Sequence, residues 1–182
     1  DSYITQGLAK LLSGQVSYPL KVGTSNGASL PRERVGYGAV RAVIFDSLPP
    51  DSLDACQRKA LLEYLLAGGN LVLPAPLDQA DPTATWLEPY PPVHLLGRRS
   101  ADRIAGGTSR AAEPPLKFRE FVDISEATDA GGEVVLGDSS YVHAAIKRVG
   151  LGRVVFTSFP INALDPADPR AAVIWSNLLD LN

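Results

Sequence analysis

The segment from residue 39 to residue 74 constrains the fold most, because it contains a strand pattern, a helix pattern and a second strand pattern in succession. Residues 39–45 are short, β-branched and almost all apolar, which is typical of a strand buried on both faces in a parallel sheet. Apolar residues then recur on one helical face over residues 53–65, and Gly68-Gly69 ends the helix before the apolar residues 70–73. This order predicts a βαβ unit with parallel strands and a right-handed crossover.

The rest of the chain predicts further helices and strands around this unit. The predicted elements are a helix at residues 4–13, a strand at 16–22, strands at 133–136, 142–148 and 153–159, and a closing helix at 169–181. The tight connection at Val149–Gly152 predicts an antiparallel hairpin. Together these patterns predict a three-layer α/β sandwich with a mainly parallel central sheet and an added C-terminal antiparallel hairpin.

Two segments predict irregular structure. Residues 23–38 are rich in glycine and predict a long loop, whereas residues 76–115 are broken by prolines and predict loops and short helices, with a helical turn at 83–87. The second segment carries a cluster of arginines: Arg98, Arg99, Arg103 and Arg110. We interpret the cluster as a solvated loop, with an anion site as the alternative.

Length and charge exclude several classes of protein. The chain has 182 residues, 17 basic and 20 acidic, with a net charge of −3, which predicts one globular domain over residues 1–182 with no strong field for nucleic acid or anionic membranes. No apolar run reaches the roughly 18–20 residues that a membrane span needs, so no direct membrane insertion by this segment is expected. The chain has no Met and begins with Asp1, so we expect an excised segment or a processed product.

Two groups of motifs carry a resemblance to a known family. They are a helix that ends in Gly-Gly before the residues NLVL at 70–73, and the residues KRVGLGRVVF at 147–156 followed by a helix with Trp175. The chain thereby resembles the class I glutamine amidotransferase-like superfamily, which has a flavodoxin-like α/β fold. It is most similar to divergent, non-catalytic members found in bacterial membrane-associated proteins. The resemblance covers residues 40–75 and 142–179.

The positions that carry the family's chemistry are occupied by other residues. An amidotransferase needs a Cys thiolate on a strained strand-to-helix turn and a His that activates it. Here Pro74-Ala75-Pro76 follows the NLVL strand, and the segment Thr157-Ser158-Phe159-Pro160-Ile161, which contains no His, lies where the family's His is expected. The resemblance therefore implies a pseudoenzyme without glutaminase activity, and no catalytic residue is assigned.

Polar residues at the predicted carboxyl ends of strands are the candidate ligand-binding residues, because ligands of open α/β sheets bind at that edge. They are Asp46 and Ser47 after the first strand, and Ser158 and Asn162 after the last, with Asp165 nearby. The alternative interpretation is that Asp46 and Ser47 cap a loop, and that Asn162 and Asp165 shape the turn before the last helix.

The few residues suited to nucleophilic or metal chemistry are predicted to be structural. Cys56 lies on the apolar helix face, which predicts a buried packing thiol. His143 lies within a strand and predicts a structural or surface imidazole, and His94 has no ligand neighbours at metal spacing. Accordingly, no metal and no cofactor are expected.

Three functions remain open from the sequence. The first is a non-enzymatic interaction or ligand-sensing domain whose protein or small-molecule partner is unknown. The second is a hydrolase that uses Asp46 and Ser158 in a cleft at the strand ends, a hypothesis that gains weight if His143 lies within hydrogen-bonding reach of them. The third is a structural or oligomerisation module. The resemblance also implies a soluble domain of a bacterial membrane-anchored or envelope protein.

Overall fold

The computed structural model describes residues 12, 21–45, 52–75, 87, 90–105, 107 and 113–181. Within these residues lie seven strands and two α-helices. The strands are β1 (Ala42–Ile44), β2 (Asn70–Pro74), β3 (Val93–Ile104), β4 (Leu116–Asp129), β5 (Glu133–Gly137), β6 (Val142–Val149) and β7 (Gly152–Thr157), and the α-helices are α1 (Ala55–Leu66) and α2 (Pro169–Leu179). Two short 3-10 helices, Gly27–Ser29 and Arg34–Tyr37, lie in the predicted loop at residues 23–38.

The predicted βαβ unit is confirmed. β1 and β2 pair in parallel, with Ala42 opposite Asn70, and α1 connects them. The helix begins with a capping box, in which the Asp54 side chain accepts a hydrogen bond from the Gln57 N–H, and the Gln57 side chain accepts one from the Asp54 N–H. It ends where Gly68 has a φ of +113°, which favours glycine.

β2 lies near the middle of a five-stranded sheet with the order β1-β2-β7-β6-β5. β7 is parallel to β2, whereas β6 is antiparallel to β7 and β5 is antiparallel to β6. The predicted hairpin at Val149–Gly152 is therefore present as the connection between β6 and β7. As a result, the carboxyl ends of β2 and β7 lie at the same edge of the sheet as the beginning of β6.

Each helix packs on a different face of this sheet. Leu71 and Leu73 of β2 belong to one buried cluster with residues of α1, while Val72 between them belongs to another with Trp175 of α2. This alternation follows from the strand geometry, because successive side chains point to opposite faces. Both faces of β2 are therefore buried, as the apolar run from Leu71 to Leu73 predicts.

The interpretation of residues 76–115 as loops and short helices is wrong for their second half. β3 forms a long antiparallel hairpin with β4, and Arg98, Arg99 and Arg103 lie on β3 rather than in a loop. The prolines lie just outside the strands: Pro92 precedes β3, and Pro114-Pro115 precedes β4. A proline at a strand boundary removes no ladder hydrogen bond from the strand interior, so the hairpin tolerates these residues.

The predicted three-layer sandwich with a mainly parallel central sheet is also wrong. The described residues are mostly β-structure: a mixed sheet, with only β1, β2 and β7 parallel to one another, and the separate β3–β4 hairpin. The predicted helix at 4–13, strand at 16–22 and helical turn at 83–87 lie almost wholly outside the described residues. No helix in the described part of the chain is long and apolar enough to cross a membrane.

Candidate functional site

His143 and Ser158 face each other where β6 begins and β7 ends. The Ser158 N–H donates to the His143 carbonyl at 2.8 Å, so the two residues are cross-strand neighbours with side chains on the same face of the sheet. The Ser158 hydroxyl lies 3.1 Å from His143 Nδ1. The structure thus places the sequence candidate Ser158 within hydrogen-bonding reach of a histidine.

Asp138 lies on the other side of the His143 ring. Its carboxylate Oδ2 is 3.6 Å from His143 Nε2, and its Oδ1 accepts hydrogen bonds from the Ser140 N–H at 2.7 Å and the Tyr141 N–H at 2.9 Å. Local turn hydrogen bonds of this kind fix the direction of an aspartate side chain. The imidazole therefore lies between a hydroxyl and a carboxylate, each presented by the end of a strand or by the adjoining turn.

The surroundings keep His143 neutral and Asp138 charged. Burial lowers the pKa of His143, the Asp138 carboxylate opposes this shift, and the Arg99 guanidinium adds to it. Although burial raises the pKa of Asp138, hydrogen bonds from the Ser140 and Tyr141 N–H groups hold it below its usual value. The site therefore holds a neutral imidazole beside a carboxylate at neutral pH.

Strand β4 crosses this edge of the sheet and covers it. The Ser125 N–H donates to the Ser158 carbonyl at 2.8 Å, and the Asp165 N–H donates to the Lys117 carbonyl at 3.2 Å. Ala127 of β4 packs in one buried cluster with residues of β6 and β7. The crevice expected at the carboxyl ends of the parallel strands is thus occupied by the protein's own backbone here.

The seam, defined here as Ser125, Asp138, His143 and Ser158, is closed to solvent except at Asp138. Ser158 is 0% exposed and His143 is 1% exposed, whereas the Asp138 side chain is 41% exposed. The Ser125 hydroxyl and His143 Nε2 are buried without a hydrogen-bond partner. The order hydroxyl, imidazole, carboxylate matches that of a nucleophile, a base and an orienting acid, but no substrate reaches a hydroxyl that is fully buried.

The other sequence candidates do not join the seam. Asp46 and Ser47 lie outside the described residues, and Asn162 is exposed on the turn that follows β7. Asp165 accepts a hydrogen bond from the Ala167 N–H at 2.9 Å, which is the turn-forming role that the alternative interpretation predicts. Sequence reasoning did not select Ser125, which lies in a segment with no predicted strand.

Cys56 is exposed, so its prediction as a buried packing thiol is wrong. The helix begins at Ala55, after the Asp54 cap, and its buried positions are Gln57, Ala60, Leu61, Tyr64 and Leu65. The buried face is therefore one residue away from the face that was inferred at the start of the helix. Among the described residues, no group of three His, Cys, Asp or Glu side chains is arranged to hold a metal ion.

The chain is similar in fold to two cytoplasmic proteins of Salmonella typhimurium, STM1381 and STM3548. Both structures match with a TM-score of 0.68, at 13% and 12% identity; the matches cover 97% of this chain and 86% and 85% of theirs. At these identities, the likeness shows the fold alone. No protein-family model and no curated protein sequence matches the chain.

Parts of two larger glycosidases also share this fold. A β-galactosidase from the haloarchaeon Halorubrum lacusprofundi matches with a TM-score of 0.57 and 20% identity over 97% of this chain and 26% of its own. The exo-β-1,4-mannosidase Op5Man5 from Opitutaceae bacterium strain TAV5 matches with a TM-score of 0.53 and 18% identity over 96% of this chain and 27% of its own. None of these four structures is described as a glutamine amidotransferase, and their likeness to this chain is one of fold.

Proposed function

We propose that this chain is a non-enzymatic interaction or ligand-sensing domain. The observation that carries the proposal is the burial of the seam, because the most reactive arrangement among the described residues, Ser158 beside His143, lies beneath β4. Catalysis requires that the nucleophile reach the substrate atom that it attacks. A hydroxyl that is sealed in this way supports the fold rather than chemistry.

The sequence resemblance to divergent amidotransferase-like domains supports the same proposal. Where that family carries its thiol and its imidazole, this chain has Pro74-Ala75-Pro76 and residues 157–161, which include no Cys and no His. Pro74 ends β2, and the Ala75 N–H donates to the Thr157 carbonyl at 2.9 Å. That N–H is thus engaged within the sheet rather than offered to an oxyanion.

The β3–β4 hairpin supplies the surface on which we expect a partner to dock. Phe121 is 75% exposed and Leu96 is 61% exposed, and both lie on this hairpin. An exposed aromatic side chain contributes large buried area when a partner covers it, which is why such residues are enriched at interfaces. The Salmonella neighbours are described as cytoplasmic, so we propose action in an aqueous compartment without direct insertion into a membrane.

A hydrolase is the second candidate, and it is favoured by one observation: the Ser158 hydroxyl, the His143 ring and the Asp138 carboxylate lie in a row. For this function, β4 must move away from Ser158 before a substrate binds. A biotinylated fluorophosphonate distinguishes the two candidates, because it labels serine hydroxyls that a neighbouring base activates.

The decisive experiment combines this label with two activity assays on the purified chain. We expect no ammonia release from glutamine, no ester hydrolysis above buffer and no fluorophosphonate label. Labelling of Ser158 that disappears in Ser158→Ala and persists in the exposed control Ser139→Ala contradicts the non-enzymatic proposal and establishes the hydrolase.

The docking surface is tested by replacing Phe121 with a photo-crosslinking phenylalanine analogue in cells that make the protein. The control carries the same analogue at Val35, which is 79% exposed and lies on a 3-10 helix rather than on the hairpin. We expect a discrete crosslinked adduct from position 121 and none from position 35. Equal or absent crosslinking at both positions contradicts the assignment of this surface.

A further inference from the structure

The two histidines of the chain differ in their surroundings. His94 is exposed on β3, whereas His143 is 1% exposed at the beginning of β6. His143 contacts the end of β7 through Ser158 and the turn after β5 through Asp138. It is therefore the side chain that joins the three strand ends at which β4 closes the sheet.

The elements packed around His143 place polar and charged groups near its ring, and these groups influence its protonation. The turn after β5 presents the Asp138 carboxylate, β7 presents only the neutral Ser158 hydroxyl, and β3 presents Arg99, which lies over the Tyr141 ring and within 3.6 Å of Glu126 of β4.

Lys147 lies further along the same face of β6, and its ammonium donates to the Pro91 carbonyl at 3.5 Å. Among the residues that the structure describes, the exposed Asp138 is the carboxylate that closely approaches the His143 ring.

We propose that His143 is a proton-operated latch, which holds the seam closed while the imidazole is neutral and releases β4 and the Asp138 turn when the imidazole is protonated. A neutral ring fits the closed seam, because Nδ1 shares one hydrogen bond with Ser158 and the rest of the ring is removed from water. A charged ring in the same place loses its hydration, and the half-exposed Asp138 replaces only part of it.

The direction of the pH effect follows from the protonation of His143 in the open and closed states of the seam. When the seam is open, water surrounds His143 and its pKa approaches the ordinary value of 6.5, whereas burial lowers its pKa when the seam is closed. The closed state therefore binds fewer protons than the open state. The stability that this gives the closed state is fully present above pH 6.5 and is lost as the pH falls below that value. At pH 5.0 this linkage raises the open population by up to about 30-fold relative to pH 7.5.

Native-state hydrogen exchange with mass spectrometry measures this population at pH 7.5 and pH 5.0, once rates are divided by the intrinsic exchange rate at each pH. We expect peptides from β4, β6 and the end of β7 to exchange faster at pH 5.0, by up to about 30-fold. His143→Gln keeps an amide beside Ser158 but does not titrate, so its exchange is expected to be the same at both pH values. The matched control His94→Gln removes the exposed histidine and keeps the full pH effect.

Two results overturn the latch: exchange of the wild-type seam that does not change between the two pH values, or a pH effect that survives in His143→Gln. If His143→Gln does not fold, an NMR titration of the His143 ring in the wild-type chain decides the question. A ring that titrates below 6.5 in the folded protein supports the latch, whereas one that titrates at or above 6.5 contradicts it. Neither measurement depends on whether the domain binds a partner or hydrolyses a substrate.

Discussion

The two buried serines of the seam are expected to respond in opposite ways to replacement by alanine. Ser158 and Ser125 are 0% and 2% exposed, and they are joined by the hydrogen bond from the Ser125 N–H to the Ser158 carbonyl. Their hydroxyls differ: that of Ser158 lies 3.1 Å from His143 Nδ1, whereas that of Ser125 has no partner. Replacement by alanine removes one hydroxyl and leaves the backbone bond between the strands.

The expected magnitudes follow from what each substitution leaves behind. Ser158→Ala leaves His143 Nδ1 buried without a partner, which costs about 1–3 kcal/mol of unfolding free energy. Ser125→Ala removes a buried hydroxyl that makes no hydrogen bond, so no partner is orphaned and a desolvation cost disappears. We therefore expect Ser125→Ala to be neutral or to stabilise the fold by up to about 1 kcal/mol.

Urea denaturation followed by far-ultraviolet circular dichroism measures both differences, and the exposed Ser139→Ala serves as a control expected to lie within about 0.5 kcal/mol of the wild type. For a chain of this length, each kcal/mol corresponds to a shift of about 2–4 °C in Tm. A Ser125→Ala variant as unstable as Ser158→Ala refutes the reasoning, because it means that the Ser125 hydroxyl has a partner in the folded protein.

Four further substitutions test other parts of the structure by the same urea assay. Gly152→Ala is expected to cost about 3 kcal/mol or more, because its Cβ would lie 2.1 Å from the Leu65 carbonyl oxygen; Gly23→Ala has no neighbour within 4 Å and should be neutral. Asn70→Ala should cost about 2–4 kcal/mol, because the buried amide donates to two backbone carbonyls and accepts from a guanidinium. Cys56→Ser should change stability by less than about 0.5 kcal/mol, and the native thiol should react readily with Ellman's reagent because it is exposed.

The sequence predicts well those elements whose pattern is local. β2 is apolar after Asn70 because both of its faces are covered, and the β6–β7 hairpin follows from a tight turn in which Gly150 has a φ of +61°. α2 begins at Pro169 after its Asp168 cap, as the position of the proline favours. In each case, burial or backbone geometry determines the residue types of a short, contiguous segment.

The β3–β4 hairpin was not predicted, because its composition is polar and its alternation is irregular. Its strands carry exposed arginines and acidic residues at successive positions, and its pairing is interrupted by register shifts near Leu96 and Asp102. Such interruptions break the two-residue alternation that identifies a strand. The prolines that flank it add a signal for loops, although they lie outside the ladder.

The phase of α1 was misassigned for a more specific reason. The sequence pattern starts the helix at residue 53, whereas the helix begins at Ala55, after the capping box of Asp54 and Gln57. Gln57 is buried because its amide also donates to the Gly27 and Leu30 carbonyls, and no apolar periodicity reports such a contact. A polar residue with tertiary partners therefore occupied a position on the helix face that the sequence pattern assigned to Cys56.

Strand β4 both closes the sheet edge and forms part of the exposed surface of the domain. The same strand that covers Ser158 with its backbone carries the exposed Phe121. If the domain works by contact, Ser158→Ala should lower stability and partner binding together, because both depend on where β4 lies. Phe121→Ser should lower binding while the urea midpoint stays unchanged, since an exposed side chain contributes little to the fold. A domain that works by catalysis predicts the reverse, with Ser158 decisive and Phe121 silent.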